Sequence, residues 1–385
     1  MTTKPTRNTL YCGDPPMRFS NLFRSDPEGG YMSLFKGRRA FPSYNTRVAI
    51  RAACDLLELQ PGDEVLAPAY NCGSEVDPLI HAGLSVRLFP VAQDLIADPA
   101  RIEPLISPRT KALYVIHYFG VIQPALAELR ELCDRHGLRM IEDCALSLLS
   151  GASPAEGRTG DVSVFCFYKF VPVLGGGALV INAPDLQSVN PFNRPAPRKV
   201  VVKTLVRTGL TAALGSTRAK GMVQALKGKP VAENAPLEND KLEDIPGHYY
   251  FNPALLNAGM SVFASRPLKS FSVSQAISAR RSNWQRYRDL LEGSPGVHLL
   301  LPELAPETCP LNMPVMVADR DRVVQTLQSK GIGATPWWAG FNRNLDWSGQ
   351  EEAMALKNKA LSLPLHQYLG AAHLDYITAQ LQAAL

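Results

Sequence analysis

The feature that most constrains this chain is an alternation of segment types running from about residue 40 to residue 143. Thr46 to Leu59 carries apolar residues at Val48, Ala52, Leu56 and Leu59, a helical spacing, and stops at the turn residues Pro61-Gly62-Asp63. Glu64 to Pro68 then reads as a short buried strand. The pattern repeats as helix Glu75 to Ala82, strand Ser85 to Pro90, helix Ala100 to Leu105, strand Lys111 to His117, helix Pro124 to His136 and strand Arg139 to Glu142. Strands joined through helices predict an α/β fold, a mostly parallel sheet covered by helices on both faces. Ligands of such sheets lie beyond the carboxyl ends of the strands, where loops and helix N-termini meet. Tyr118-Phe119-Gly120, Asp143 and Lys169 all fall there, the last after the strand-like run Val162 to Phe167.

After residue 190 the alternation is interrupted. Lys199 to Leu226 can be written as an amphipathic helix with Val202, Leu205, Val206, Leu210, Ala213 and Leu214 on one side. Nine Lys or Arg residues and no acid lie between Asn193 and Pro230, and Glu233 to Asp244 is acidic. This local excess could dock a phosphate-rich ligand such as a diphosphate, a carrier-bound acceptor, an anionic lipid surface or an acidic partner protein, but a solvated helix face on an insertion is the plainer reading; nucleic acid is not indicated. Ser272 to Leu291 reads as a long helix rich in Arg, of the kind that links a larger domain to a smaller one. Strand Asn312 to Ala318, helix Arg320 to Lys330, the turn Gly331-Ile332-Gly333 and a final helix from Ala371 suggest a compact α+β unit. The expected division is an N-terminal extension over 1–40, a large domain over 41–250 with a basic insertion at about 193–245, and a small C-terminal domain over 251–385.

Composition narrows the setting. Of 385 residues, 46% are hydrophobic and 19% charged, ordinary for a soluble chain with a sizeable core. The seven cysteines are odd in number and lack CxxC pairing, which indicates neither a disulfide framework nor a metal site. No apolar signal core and no run of the roughly 18 to 20 apolar residues that span a bilayer is present. A cytoplasmic location is expected.

Lys169 interrupts the apolar runs Val162 to Tyr168 and Phe170 to Leu174. An ammonium there is unfavourable unless paired or deprotonated, and desolvation is expected to lower its pKa and make it a nucleophile towards an aldehyde. Gly175, Gly176 and Gly177 let the backbone pass close to a ligand. Asp143 ends an apolar strand, where a carboxylate could hold a pyridinium nitrogen protonated or could simply cap the next turn. The pair, 26 residues apart, says more than either member.

Six segments in order now add a resemblance: Leu59-Gln60-Pro61-Gly62-Asp63-Glu64-Val65, Ile106 to Ala112, Val115-Ile116-His117-Tyr118-Phe119-Gly120, Ile141-Glu142-Asp143, Lys169 with Gly176-Gly177, and Leu361-Ser362-Leu363-Pro364-Leu365-His366. The chain resembles the DegT/DnrJ/EryC1/StrS family of sugar aminotransferases, which use pyridoxal 5'-phosphate (PLP). The resemblance implies an aspartate-aminotransferase-like fold (PLP fold type I) and a homodimer with shared active sites. It implies Lys169 as the Schiff-base lysine and Asp143 on the pyridine nitrogen. The family's phosphate loop falls on Asn45-Thr46-Arg47, and its asparagine that reaches the neighbouring subunit's cofactor falls on Asn257. Departures are also visible. Leu146 replaces a usual Gln or His, Cys166 a serine that contacts phosphate, and Cys72 the aromatic residue that stacks on the cofactor, for which Tyr70 could substitute. Ser74 or Glu75 could line the site, and His117, Trp337 and Trp338 fall near it but are expected to be packing residues.

By resemblance the activity is transamination from an amino acid, glutamate by preference, to a keto acceptor such as a nucleotide-linked keto sugar. Lysine at position 169 disfavours the related dehydratases, which carry histidine there. A catalytically quiet relative that regulates a pathway is the reading that Leu146, Cys72 and Cys166 keep open. The absence of a Gly-x-Gly-x-x-Gly turn argues against a nicotinamide dehydrogenase.

Overall fold

The computed structural model describes residues 11–16, 30–153, 155–173, 175–198, 202, 206, 242–261 and 266–385. Most of the expected amphipathic segment and of the basic stretch lies outside the described residues.

Seven strands form the larger sheet: β1 (Arg39–Ser43), β2 (Glu64–Pro68), β3 (Ser85–Phe89), β4 (Thr110–Ile116), β5 (Arg139–Asp143), β6 (Val162–Cys166) and β7 (Gly177–Ile181), in spatial order β1-β7-β6-β5-β4-β2-β3. The five strands from β6 across to β3 pair in parallel. Strands β7 and β1 are antiparallel, which the strand-and-helix alternation did not foretell. Only ten residues separate Cys166 from Gly177, too few for the crossover that a parallel return demands. Strands β2, β5, β6 and β7 are buried along almost their whole length, the mark of a sheet covered on both faces.

Helix α1 (Thr46–Leu56) opens on Asn45, whose side chain accepts a hydrogen bond from Val48 N. Its buried stripe of Val48, Ala49, Ile50, Ala52 and Ala53 lies in the main core with Val65, Val164 and Val180. Each fully buried Val or Ile there contributes about 1.5–3 kcal/mol. Helix α2 (Asp77–His81) is shorter than expected. The helix expected at Ala100 to Leu105 is a turn, α3 (Pro99–Ile102), followed by a 3-10 segment, because Pro104 has no N–H to extend the ladder. Helix α4 (Leu126–His136) ends on Gly137 in the left-handed region at φ 63°.

The smaller sheet is antiparallel, with β8 (His298–Leu299), β9 (Met313–Met316), β10 (Thr335–Pro336) and β11 (Ala360–Leu363) in the order β10-β11-β9-β8. It shares a second core with α5 (Val273–Leu291), α6 (Arg320–Ser329) and α8 (Ala371–Gln382), built from residues such as Tyr287, Val315, Leu327, Leu363 and Ile377. Helix α7 (Glu351–Lys359) instead packs Ala353 and Leu356 into the main core. Gly120 marks one place where the two parts meet. It sits at φ +104°, and a Cβ on it would stand 2.1 Å from the Cys309 carbonyl oxygen. No helix among the described residues is long and apolar enough to cross a membrane.

Candidate functional site

Chain order and spatial order reverse between β2 and β4: from β2 the chain steps out to β3, then returns across β2 to β4 and proceeds to β5 and β6. Such a reversal of order is where open α/β sheets take their ligands, in a crevice beyond the carboxyl ends of the strands. Tyr70 to Glu75 follow β2, Tyr118 follows β4, Asp143 closes β5 and Lys169 follows β6.

Lys169 is half-buried between the fully buried rings of Phe167 and Phe170, and its Nζ stands 6.0 Å from the centre of the Trp337 ring. Its backbone is braced from below. The fully buried Arg280 on α5 donates from Nη2 to Lys169 O at 3.3 Å, and from Nη1 to Leu311 O at 2.7 Å and Pro310 O at 3.2 Å. Arg280 Nε donates to Gln367 Oε1, and Gln367 Nε2 donates to Phe170 O, each at 3.0 Å. The turn is thus held by its carbonyls, and none of these bonds engages Lys169 Nζ. Burial pushes the Lys169 ammonium down, as the sequence suggests, but Cys166, Cys72, Asp143 and Glu75 together push it up, and the net displacement is upward. The expected depression is reversed because the apolar frame of this lysine is lined with acidic groups. Burial holds the Cys72 thiol up at about 12 and raises Cys166 as well.

Asp143 is almost inaccessible and accepts from Tyr114 Oη at 2.5 Å and from Ala145 N at 2.8 Å. Burial raises its pKa, opposed by the Tyr114 hydrogen bond and reinforced by Glu75. Such a carboxylate is short of positive charge, and a cationic ring nitrogen would supply it. The neighbouring Glu142 serves the frame. It pairs with His117 Nε2 at 2.8 Å and accepts from Thr159 N and Gly160 N at 3.0 and 2.8 Å. Because Gln123 N donates to His117 Nδ1, the ring carries its proton on Nε2 and donates it to Glu142. Cys144 lies within 4.8 Å of both. The imidazole and carboxylate of this trio are already committed to ties between β4, β5 and the following loop, so His117 acts as packing.

The opposite wall is the N-terminus of α1. Thr46 Oγ1 donates to Phe165 O at 3.1 Å, and the buried Cys166 ends the same strand. The first-turn N–H groups of Thr46 and Arg47 have no acceptor within their own helix and, with the positive end of the helix dipole, would suit an anion. Gly177 permits the approach: a Cβ there would stand 2.5 Å from Phe165 O and 3.0 Å from Thr46 N. Arg47 directs its guanidinium to the carbonyls of His248 and Tyr249 at 2.8 Å and of Tyr250 at 3.3 Å, so it organises the 3-10 turn over α1. Asn257, at φ +58°, lies beside the strand entering α1: its carbonyl accepts from Arg194 N, and Ala258 O accepts from Tyr44 N.

Over the crevice stands an aromatic cluster. The fully buried Tyr70 packs 5.6 Å from the Tyr118 ring and 5.3 Å from Trp338, and its hydroxyl donates to Trp337 O. Cys72 N donates to Glu75 Oε1 at 2.7 Å and the Cys72 thiol donates to Glu75 Oε2. The departures Leu146 and Cys166 are both buried. Three participants escape a reading of the sequence. Tyr114 stands two residues from the end of an apolar strand, a position where a hydroxyl needs a partner. Arg280 and Lys357 are cations on the apolar stripes of α5 and α7, and helical periodicity alone could have placed them inside.

These groups fit PLP: a fully buried acid for the ring nitrogen, an amine for the aldehyde and free helix amides for the phosphate. The chain matches the model of the DegT/DnrJ/EryC1/StrS aminotransferase family over residues 38–191 and 268–382. It is 30% identical over 162 residues to the GDP-perosamine synthase of Vibrio cholerae, covering 41% of this chain and 44% of that protein. It is 31% identical over 253 residues to the L-glutamine:2-deoxy-scyllo-inosose aminotransferase of Streptoalloteichus tenebrarius, covering 58% and 57%. The chain thus spans about half the length of these curated relatives. Among solved structures, the aminotransferase TlmJ of Streptoalloteichus hindustanus superimposes with a TM-score of 0.64 at 19% identity, over 97% of this chain and 92% of that one. Spr1654 of Streptococcus pneumoniae in its PLP form gives 0.66 at 16%, over 96% and 97%. The expected aspartate-aminotransferase-like architecture is therefore the fold found. With most of its described length matched, the chain belongs to the DegT/DnrJ/EryC1/StrS aminotransferase family.

Proposed function

We propose that this protein is a PLP-dependent transaminase that moves an amino group from an amino acid, with glutamate the preferred donor, to the keto group of a nucleotide-linked sugar. The observation that carries the reading is the convergence of Lys169, Asp143 and the α1 N-terminus on one crevice at the carboxyl edge of the sheet. The names of relatives, a GDP-perosamine synthase among them, support the acceptor class.

PLP, when bound, supplies an electron sink that makes the donor's α-proton removable. The protein's residues do the rest. Lys169 would hold the cofactor through its amine and, once freed, would serve the donor's α-proton as base and then as acid. Asp143 keeps the ring nitrogen protonated through a carboxylate that Tyr114 and Ala145 N orient. Thr46 and the first-turn amides of α1 bind the phosphate, with Asn45 fixing the helix start. Phe167, Phe170 and the cluster of Tyr70, Tyr118 and Trp338 exclude water. The reading includes a cytoplasmic homodimer in which Asn257 reaches the partner's cofactor phosphate.

Protein mixed with PLP is expected to absorb in the visible as lysine-bound cofactor, and to lose that band with appearance of the pyridoxamine form when glutamate is added. A band that no amino donor bleaches would overturn transamination and favour the quiet relative.

A further inference from the structure

Lys357 on α7 is 1% exposed. Its Nζ donates to Asn71 O at 2.6 Å and stands 5.2 and 5.1 Å from the ring centres of Phe341 and Trp347. No carboxylate pairs with it among the described residues. An ammonium so placed is unfavourable, and Ala353 and Leu356 already pack α7 into the core without it.

Its one hydrogen-bond partner among the described residues is the turn that follows β2. That turn is wired internally: Asn71 Nδ2 donates to Pro68 O at 2.8 Å, Asn71 Oδ1 accepts from Gly73 N at 2.9 Å, and Glu75 accepts from Cys72 N and from its thiol. The C-terminal part of the chain grips it at two further points. Asn342 Nδ2 donates to Gly73 O at 3.2 Å and Asp77 Oδ1 at 3.3 Å, and Tyr70 Oη donates to Trp337 O. Cys72 and Glu75 act electrostatically on both Lys169 and Lys357.

We propose that Lys357 is a positioning residue of the cofactor pocket, which holds the Tyr70–Glu75 turn through Asn71 so that Cys72 and Glu75 face Lys169. The inference rests on the reading of Lys169 as the cofactor lysine. The charged and titratable groups facing Lys357 are Cys72 and Glu75 from the turn and Arg320 from α6. Burial lowers the ammonium to about 8, with Cys72 and Glu75 opposing and Arg320 assisting. The anchor therefore loses its charge, and its hold on the two rings, within the working range of an enzyme. The pocket responds near that pH.

The test compares the full-length protein with Lys357→Met and Lys357→Arg. In cofactor-free protein at pH 7, alkylation of Cys72 by iodoacetamide, followed by peptide mass spectrometry, is expected to accelerate about tenfold or more in Lys357→Met as the turn opens locally. Lys357→Arg is expected to stay at the wild-type rate. With PLP bound, the wild-type visible band is expected to change near pH 8. Lys357→Arg should keep the low-pH band to about pH 9.5, since guanidinium does not deprotonate, and Lys357→Met should show the high-pH band already at pH 7. Wild-type labelling and wild-type titration in Lys357→Met would overturn the proposal. Should that variant not fold, a step near pH 8 surviving in Lys357→Arg would overturn it equally. Failure of the wild type to take up PLP would instead sink the reading of Lys169, and the labelling arm would still decide whether Lys357 holds the turn.

Discussion

Lys169→Ala is expected to fold like the wild type and to lose at least about 10³-fold in transamination, measured in single turnovers with PLP and glutamate, because one side chain serves as both attachment point and proton carrier. Folding survives because the contacts that fix this turn, from Arg280 and Gln367, run to the carbonyls of residues 169 and 170. Lys169→Arg should fail to restore activity, since a guanidinium gives up no proton at workable pH. Asp143→Asn separates the acid's role from the lysine's. Asparagine keeps partners for Tyr114 Oη and Ala145 N but cannot hold a ring nitrogen protonated, so turnover should fall about 10²- to 10³-fold, the range for one electrostatic partner. The same change should stabilise the cofactor-free protein. The folded pKa of Asp143 lies above its unfolded value of 3.8, so the native state binds more protons in that window and stability falls as pH rises through it. The penalty persists at neutral pH, and asparagine removes it. A variant that is less active yet melts higher would identify Asp143 as a site where stability is given up for function. Unchanged turnover would remove Asp143 from the site.

Much of this is legible because it is periodic or punctuated. Strands β2, β4, β5 and β6 and helices α1, α4, α5 and α6 follow from apolar spacing and turn residues, and the chemistry follows from polar residues that end apolar strands. What the sequence withholds depends on partners distant in the chain. The antiparallel return of β7 is set by loop length and by the close approach of Gly177 to α1, which only a three-dimensional count of atoms reveals. Arg47 has the composition of an anion ligand but spends its guanidinium on three carbonyls some 200 positions away. The pKa of Lys169 moves opposite to the expected direction for the same reason. Its apolar neighbours are adjacent in sequence, and of the groups that raise it Cys166 is close in the chain, whereas Cys72, Asp143 and Glu75 reach it only through the sheet's carboxyl edge.

The protein is expected to hold its stability up to about pH 9 and then lose it steeply, and the reason lies in its cysteines. Burial holds Cys54, Cys133 and Cys309 at about 12 against a reference of 9.0. Between those values the unfolded chain binds fewer protons than the native one, so stability falls as pH rises. At about 1.4 kcal/mol for each pH step of one above the reference, each thiol contributes a loss of roughly 3 kcal/mol at pH 11, and the three together roughly 8, comparable to the whole stability of an ordinary domain. The buried hydroxyls of Tyr114, Tyr118 and Tyr287, all raised by burial, act in the same direction above pH 10. Lys357 opposes them at first. Its folded value of about 8 lies below 10.5, so the unfolded chain binds more protons between the two and stability rises there, by roughly 2 to 3 kcal/mol from pH 7 to pH 10. Circular dichroism against pH should therefore show a plateau and then a cliff, with the decline setting in at lower pH in Lys357→Met, where the opposing gain is gone. Cys54→Ala makes the sharper test. Losing a small buried group beside Ile50 should lower stability by about 1 kcal/mol at pH 7, yet alanine has no proton to release, so the variant should outlast the wild type at pH 11. Stability curves that cross between those pH values are the expected result; parallel curves would mean that the buried thiols do not govern the alkaline limit.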